Sequence, residues 1–100
     1  MKLTKTEILS YLSNQKSEFA ENYNIQKFGL FGSFARNEQT ENSDIDIIYI
    51  LEKDKNITYF MLFDLEKKLE TFFNRKVELI NSKYLNPIIK YKSEKDIIYV

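Results

Sequence analysis

Gly32-Ser33-Phe34-Ala35-Arg36-Asn37 and, after a short polar loop, Ser43-Asp44-Ile45-Asp46 decide how this chain is read. The first stretch ends an apolar run, Lys27-Phe28-Gly29-Leu30-Phe31, with the residues of a tight turn. The second sets two aspartates one residue apart at the head of an isoleucine-rich run. Carboxylates are costly to bury without a positive partner, so they are not there for packing. Together the two stretches read as an active site.

The turn comes first. A strand over Gln26 to Phe31 delivers the chain into Gly32-Ser33, and a short helix through Ala35 and Arg36 is expected to follow. Such a junction offers free backbone N–H groups, a hydroxyl and the positive end of a helix, which suit phosphate oxygens. Gly32 permits close backbone approach. Taken alone, a Gly-Ser pair reads first as a simple turn. The aspartates change that balance. In a strand from Ser43 to Leu51, residues two apart share a face. Asp44 and Asp46 therefore point the same way, followed by Ile48 and Ile50, while Ile45, Ile47, Tyr49 and Leu51 line the other side. A strand apolar on both faces is buried on both. Two aspartates at its mouth repel each other unless a cation lies between them. Asp44 alone could be a strand-start residue; for Asp46, between isoleucines, that ordinary explanation fits less well.

The flanking elements complete the outline. Thr4 and Glu7 have capping-box spacing at the start of a helix expected to run to Ala20, with Ile8, Leu9, Leu12 and Phe19 on one face; Asn22 to Asn24 close it. Asn56 is the expected cap of a helix to Phe73 whose Ile57, Phe60, Met61, Leu65, Leu69, Phe72 and Phe73 read as a core stripe. Lys76 to Ile80 is a third strand, interrupted by Glu78, which needs a charged partner if buried. A last helical segment is expected over Ser82 to Tyr91, with Pro87 inside or breaking it. The apolar Ile97-Ile98-Tyr99-Val100 either docks as a short strand or belongs to a partner surface, and docking is the favoured reading.

Asp44 and Asp46 on one face, with Glu78 on the next strand, give an oxygen cluster of the kind that binds Mg²⁺ through a few carboxylates and substrate phosphates. One ion there could neutralise a leaving pyrophosphate and activate a hydroxyl; a second could complete an in-line clamp. The absence of both cysteine and histidine removes thiol nucleophiles, disulfides, Cys/His zinc sites and imidazole chemistry. The 100 residues suit a single domain over residues 1–100, too small to carry a separate acceptor-binding domain. With 15 basic and 15 acidic residues the chain lacks the basic excess of a polymerase-like grip, and no direct nucleic-acid contact is expected. Neither a signal-peptide run nor a membrane-length apolar stretch occurs, so a cytoplasmic protein with no membrane contact is expected.

The two-part motif and its spacing resemble the signature of the DNA polymerase β-like nucleotidyltransferase superfamily, and within it the minimal nucleotidyltransferase, or MNT, proteins. The resemblance extends over nearly the whole chain. It implies an α+β nucleotidyltransferase fold, a small mixed β-sheet with helices packed mainly on one face. It also implies Mg²⁺-dependent transfer of a nucleoside monophosphate from an NTP, with ATP the expected donor, to a hydroxyl. Carried over by position, Gly32 and Ser33 hold the β and γ phosphates, Asp44 and Asp46 ligate metal, and Glu78 is the third acid that assists the acceptor. Arg36 matches the family's arginine, as a phosphate contact or a salt bridge to the acidic cluster. Asn37 replaces a usual glycine, and asparagine tolerates a left-handed backbone. Glu78 stands where aspartate is common and is longer by one carbon–carbon bond, roughly 1.5 Å.

MNT proteins of this size resemble antitoxins whose partners are HEPN-type RNase toxins, which implies adenylylation of a partner tyrosine within a hetero-oligomer. Two other functions fit the residues: stoichiometric neutralisation of a partner without chemistry, and modification of a small-molecule hydroxyl.

Overall fold

Thr4, in extended conformation, accepts the Glu7 N–H at Oγ1 over 3.2 Å and starts α1 (Lys5–Asn14). The helix stops at Gln15 and restarts as α2 (Lys16–Tyr23), so the single helix expected to Ala20 is two. Ser13 and Asn14, weak helix formers, precede the break. Asn24 ends α2 in the left-handed region at φ 60°. The structure, a computed structural model, describes residues 2–86 and 95–100.

After Asn24 the chain forms β1 (Ile25–Phe31), β2 (Ile45–Leu51), α3 (Tyr59–Phe73), β3 (Val77–Asn81), a 3-10 turn (Ser82–Tyr84) and β4 (Ile98–Tyr99). The four strands make a mixed sheet in the order β3-β2-β1-β4. Strands β1 and β2 pair antiparallel, as do β1 and β4, while β2 and β3 pair parallel because α3 carries the chain back across the sheet.

One face of the sheet meets the helices. Ile8, Leu12, Phe19, Tyr23, Leu65, Leu69 and Phe73 from the helices close over Phe28, Leu30, Ile45, Ile47, Tyr49 and Val77 from the strands. This is the α+β arrangement with helices on one side that the family resemblance implied. On the opposite face of β2, Ile48 is also buried, so the middle of the strand is covered on both sides as its composition indicated.

Three expectations are corrected here. Thr58, not Asn56, caps α3, its Oγ1 accepting the Met61 N–H at 3.1 Å; Ile57 and Leu62 flank it at hydrophobic-staple spacing. Phe60 and Phe72 leave the core stripe, at 87% and 60% exposure, because the buried arc of α3 runs through Leu65, Leu69 and Phe73 at steps of four. Phe72 instead stacks on Tyr11 with ring centroids 3.8 Å apart. The expected last helix is only the 3-10 turn as far as it is described, and its continuation past Asn86, with Pro87, lies outside the described residues.

The terminal segment docks. Val100 N–H donates to Phe28 O at 2.9 Å, and Tyr99 lies opposite Gly29. A Cβ on Gly29 would meet Ile97 Cγ2 at 2.8 Å and Tyr99 Cε1 at 3.0 Å, so the bare backbone there makes room for β4. No helix among the described residues is long and apolar enough to cross a membrane.

Leu65, fully buried, and Phe60, 87% exposed, test the corrected stripe. Leu65→Ala is expected to destabilise by about 2–5 kcal/mol in urea titration. Phe60→Ala is expected to stay within about 0.5 kcal/mol of the parent.

Candidate active site

Strand β1 delivers Phe31 to the end of the sheet, and Gly32 turns the chain there with φ +76°. Hydrogen bonds from Arg36 N to Gly32 O, Asn37 N to Phe34 O and Glu38 N to Ser33 O close a compact turn. The short helix expected through Ala35 and Arg36 is absent; Asn37, left-handed at φ 58°, ends the turn before a helix can propagate. What the turn offers an anion is therefore local N–H groups and the Ser33 hydroxyl, without a helix dipole. The turn is anchored from below by Phe34, fully buried, and Ala35.

A polar loop leads to the acids. Thr40 N–H donates to Ser43 Oγ at 2.8 Å, Ser43 N–H to Thr40 O at 3.2 Å, and Asn42 N–H to Thr40 Oγ1 at 3.3 Å. Asp44 follows, exposed and just outside the strand, so β2 begins one residue after it rather than at Ser43. Ile45 N–H bonds to Lys76 O at 2.9 Å and locks the start of β2 to the chain entering β3.

Asp46 then occupies a central register position, paired with Phe31 on β1 and with Glu78 on β3. Glu78 is exposed on the outer strand, so its charge needs no buried partner. The Gly32 turn presses directly on Asp46. A Cβ on Gly32 would collide with Asp46 Oδ2 and stand 3.1 Å from Cγ. Glycine is thus required twice, for its positive φ and for the room its missing side chain leaves to the carboxylate.

The electrostatics follow from this placement. Burial first, then the Glu78 charge and hydrogen bonding with Glu78, then the Asp44 charge, push the Asp46 carboxyl up to about 6, against partial relief from Arg36. Arg36 itself pairs through Nε with Glu38 Oε2 at 3.1 Å on the surface, rather than with Asp44, Asp46 or Glu78. Asp44, Asp46 and Glu78 thus form one crowded field of negative charge. Among the described residues no group of three such side chains stands in metal-holding geometry. The donor chemistry nevertheless suits a hard cation, because the crowding penalises the charged form of Asp46 and a cation would relieve it.

Arg75 was not singled out from the sequence. Its Nη1 donates to the carbonyls of Thr40, Glu41 and Ser43, in the loop that carries Asp44. The signal lay in composition: of 15 basic residues only Arg36 and Arg75 are arginine. Where lysine serves everywhere else, an arginine marks a place that uses its planar fork.

A sequence model described as polymerase β nucleotidyltransferase matches residues 13–99. A Methanocaldococcus jannaschii protein named as a protein adenylyltransferase is 40% identical over 98 residues, covering 97% of this chain and 98% of its own. The protein adenylyltransferase MntA of Thermococcus cleftensis is 33% identical over 98 residues, covering 98% of this chain and 97% of its own. Among solved structures, a minimal nucleotidyltransferase superposes with TM-score 0.72 at 21% identity, over 96% of this chain and 95% of that one. A complex of a tri-AMPylated Shewanella oneidensis HEPN toxin with an MNT antitoxin matches with TM-score 0.58 at 17% identity, over 95% of this chain and 66% of that one.

The raised Asp46 carboxyl has a defined consequence for stability. Between 3.8 and about 6 the folded metal-free protein binds more protons than the unfolded chain, so stability is expected to fall as pH rises through that window. Asp46→Asn is expected to flatten this slope and raise the melting temperature above the window, checked by thermal melts in chelator on either side of it. Gly32→Ala is expected to cost about 1–3 kcal/mol in denaturant titration.

Proposed function

The chain belongs to the polymerase β nucleotidyltransferase family, and from that premise we propose that it transfers AMP from ATP to a tyrosine hydroxyl of a partner HEPN-type RNase toxin, silencing it. The observation that carries this reading is the Gly32 turn lying directly against the Asp46 carboxylate. A phosphate-sized turn and an acidic cluster in contact can serve the two ends of one triphosphate. The adenylyltransferase names of its relatives support protein adenylylation, and the toxin complex among the fold's neighbours supports the choice of partner.

In this reading Gly32 and Ser33 hold the β and γ phosphates with backbone N–H groups and the Ser33 hydroxyl. Asp44 and Asp46 would hold Mg²⁺, one ion or two, with Glu78 beside them as the third acid. When bound, the metal supplies neutralisation of the phosphates and of the departing pyrophosphate. The tyrosine oxygen bonds to the α-phosphorus as the bond to the bridging oxygen breaks, pyrophosphate leaves, and the hydroxyl proton passes to Glu78. Arg36, near enough to lower the Asp46 carboxyl, can leave Glu38 for a phosphate oxygen. A partner protein supplies the acceptor surface, which makes the working unit a cytoplasmic hetero-oligomer.

With α-labelled ATP and Mg²⁺, label is expected to pass to the co-expressed toxin. Asp44→Asn and Asp46→Asn are expected to lower transfer by about 10²-fold or more while the fold persists in circular dichroism. Undiminished protection of cells by the double variant would instead favour stoichiometric binding. Label appearing on free small-molecule hydroxyls but never on the toxin would overturn the choice of acceptor.

A further inference from the structure

The two halves of the site, the Gly32-Ser33 turn and Asp44, stand at opposite ends of the one connection between β1 and β2, and something must hold them in register. Strand pairing fixes Asp46 against Phe31 and Glu78. It does not fix Asp44, which lies outside the strand at the end of a loop exposed along most of its length. That loop is tied to the body of the protein through Arg75.

The guanidinium makes an unusual set of contacts. Nη1 reaches Thr40 O at 3.2 Å, Glu41 O at 3.0 Å and Ser43 O at 2.8 Å, three carbonyls sharing the two protons of one nitrogen. The same group lies over the Phe34 ring, 5.2 Å from its centroid. Phe34 is fully buried and belongs to the turn that starts at Gly32. One cation therefore bridges the turn that starts at Gly32, through Phe34, and the loop that carries Asp44, through its carbonyls. A lysine ammonium could reach a carbonyl, but it lacks the fixed, planar set of donors that a guanidinium brings to several acceptors.

Arg75 is itself held firmly. Its N–H donates to Glu70 O at 3.4 Å, and two residues later Val77 N–H donates to Glu70 Oε2 at 3.1 Å. Asn74 before it is left-handed at φ 52°, which turns the chain out of α3 and toward the loop. The intervening Lys76 carbonyl receives the Ile45 N–H. The segment Asn74 to Val77 is thus hydrogen-bonded both to the end of α3 and to the start of β2.

We propose that Arg75 is a positioning residue of the active site, a clamp that sets Asp44 against the Gly32-Ser33 turn. It touches no substrate and acts through the loop. The inference rests on the nucleotidyl-transfer reading for its rate effect, while its structural effect stands independently.

Arg75→Met keeps an aliphatic stem over Phe34 and removes the donors. Exchange of the Thr40, Asn42 and Ser43 amides is expected to accelerate by about tenfold or more, with amides of β1 and α3 little changed. Transfer onto the toxin is expected to slow by about 10- to 100-fold in kcat with a smaller change in KM for ATP. Added guanidinium ion is expected to restore part of the rate to Arg75→Ala. In the unmutated protein, nuclear magnetic resonance is expected to resolve separate, slowly rotating Arg75 Nη protons, a readout that needs no variant to fold. Averaged Nη signals would overturn the clamp, and so would loop exchange unchanged in Arg75→Met. If the unmutated protein transfers no label at all, the functional reading fails, and the exchange and resonance measurements still decide the clamp.

Discussion

A carboxylate at the centre of a β-sheet, facing a second carboxylate on the next strand, is the constraint around which this fold is arranged. Asp46 could be relieved by moving outward, but its backbone is paired on both sides, with Phe31 and with Glu78. The surroundings accommodate it instead. Gly32 gives up its side chain so that the carboxylate has space, Glu78 occupies an exposed outer position, and Arg36 offsets part of the charge. Carboxylates crowded in this way repel one another, and a cation placed among them would relieve that repulsion. That repulsion is a structural reason to regard the acids as functional, because the core would pack as well without them.

The helical layer makes the repulsion tolerable. Ile45 and Ile47 alternate with Asp46 and bury completely against the helices, so the strand is fixed by its apolar side while its polar side stays charged. The parallel crossover through α3 brings Glu78 into line with Asp46. Had β3 followed β2 through a tight hairpin, the pair would run antiparallel, and no fifteen-residue helix would cover the core from that side.

Much of this was legible in the chain. Strand parity placed Asp46 correctly because a period of two leaves no freedom once one face is apolar. The Thr4 cap was legible because capping is local, and Asn37 took the left-handed conformation that its residue type allows. What escaped depends on tertiary context. The break between α1 and α2 leaves the apolar spacing of a continuous helix almost unchanged, so periodicity cannot detect it. Phe60 looked like core because it is apolar, yet its angular position on α3 faces outward. Arg75 acts through three backbone carbonyls more than thirty residues upstream, and backbone acceptors leave no trace in residue identity. The roles of Gly32, Ser33, Arg36, Asp44, Asp46 and Glu78 toward a nucleotide were read from the turn, the strand parity and the motif, and belong to the proposed function.

Glu78 also bears on how molecules of this protein behave toward one another. Strand β3 is one edge of the described four-stranded sheet, and such an edge presents unpaired backbone groups to any extended chain nearby. Its neighbours Val77, Leu79 and Ile80 are the residue types that favour edge-to-edge association. An exposed negative charge in their midst acts as a gatekeeper against recruiting a further strand. The same carboxylate that stands opposite Asp46 thus also weighs against a further strand joining the sheet at β3.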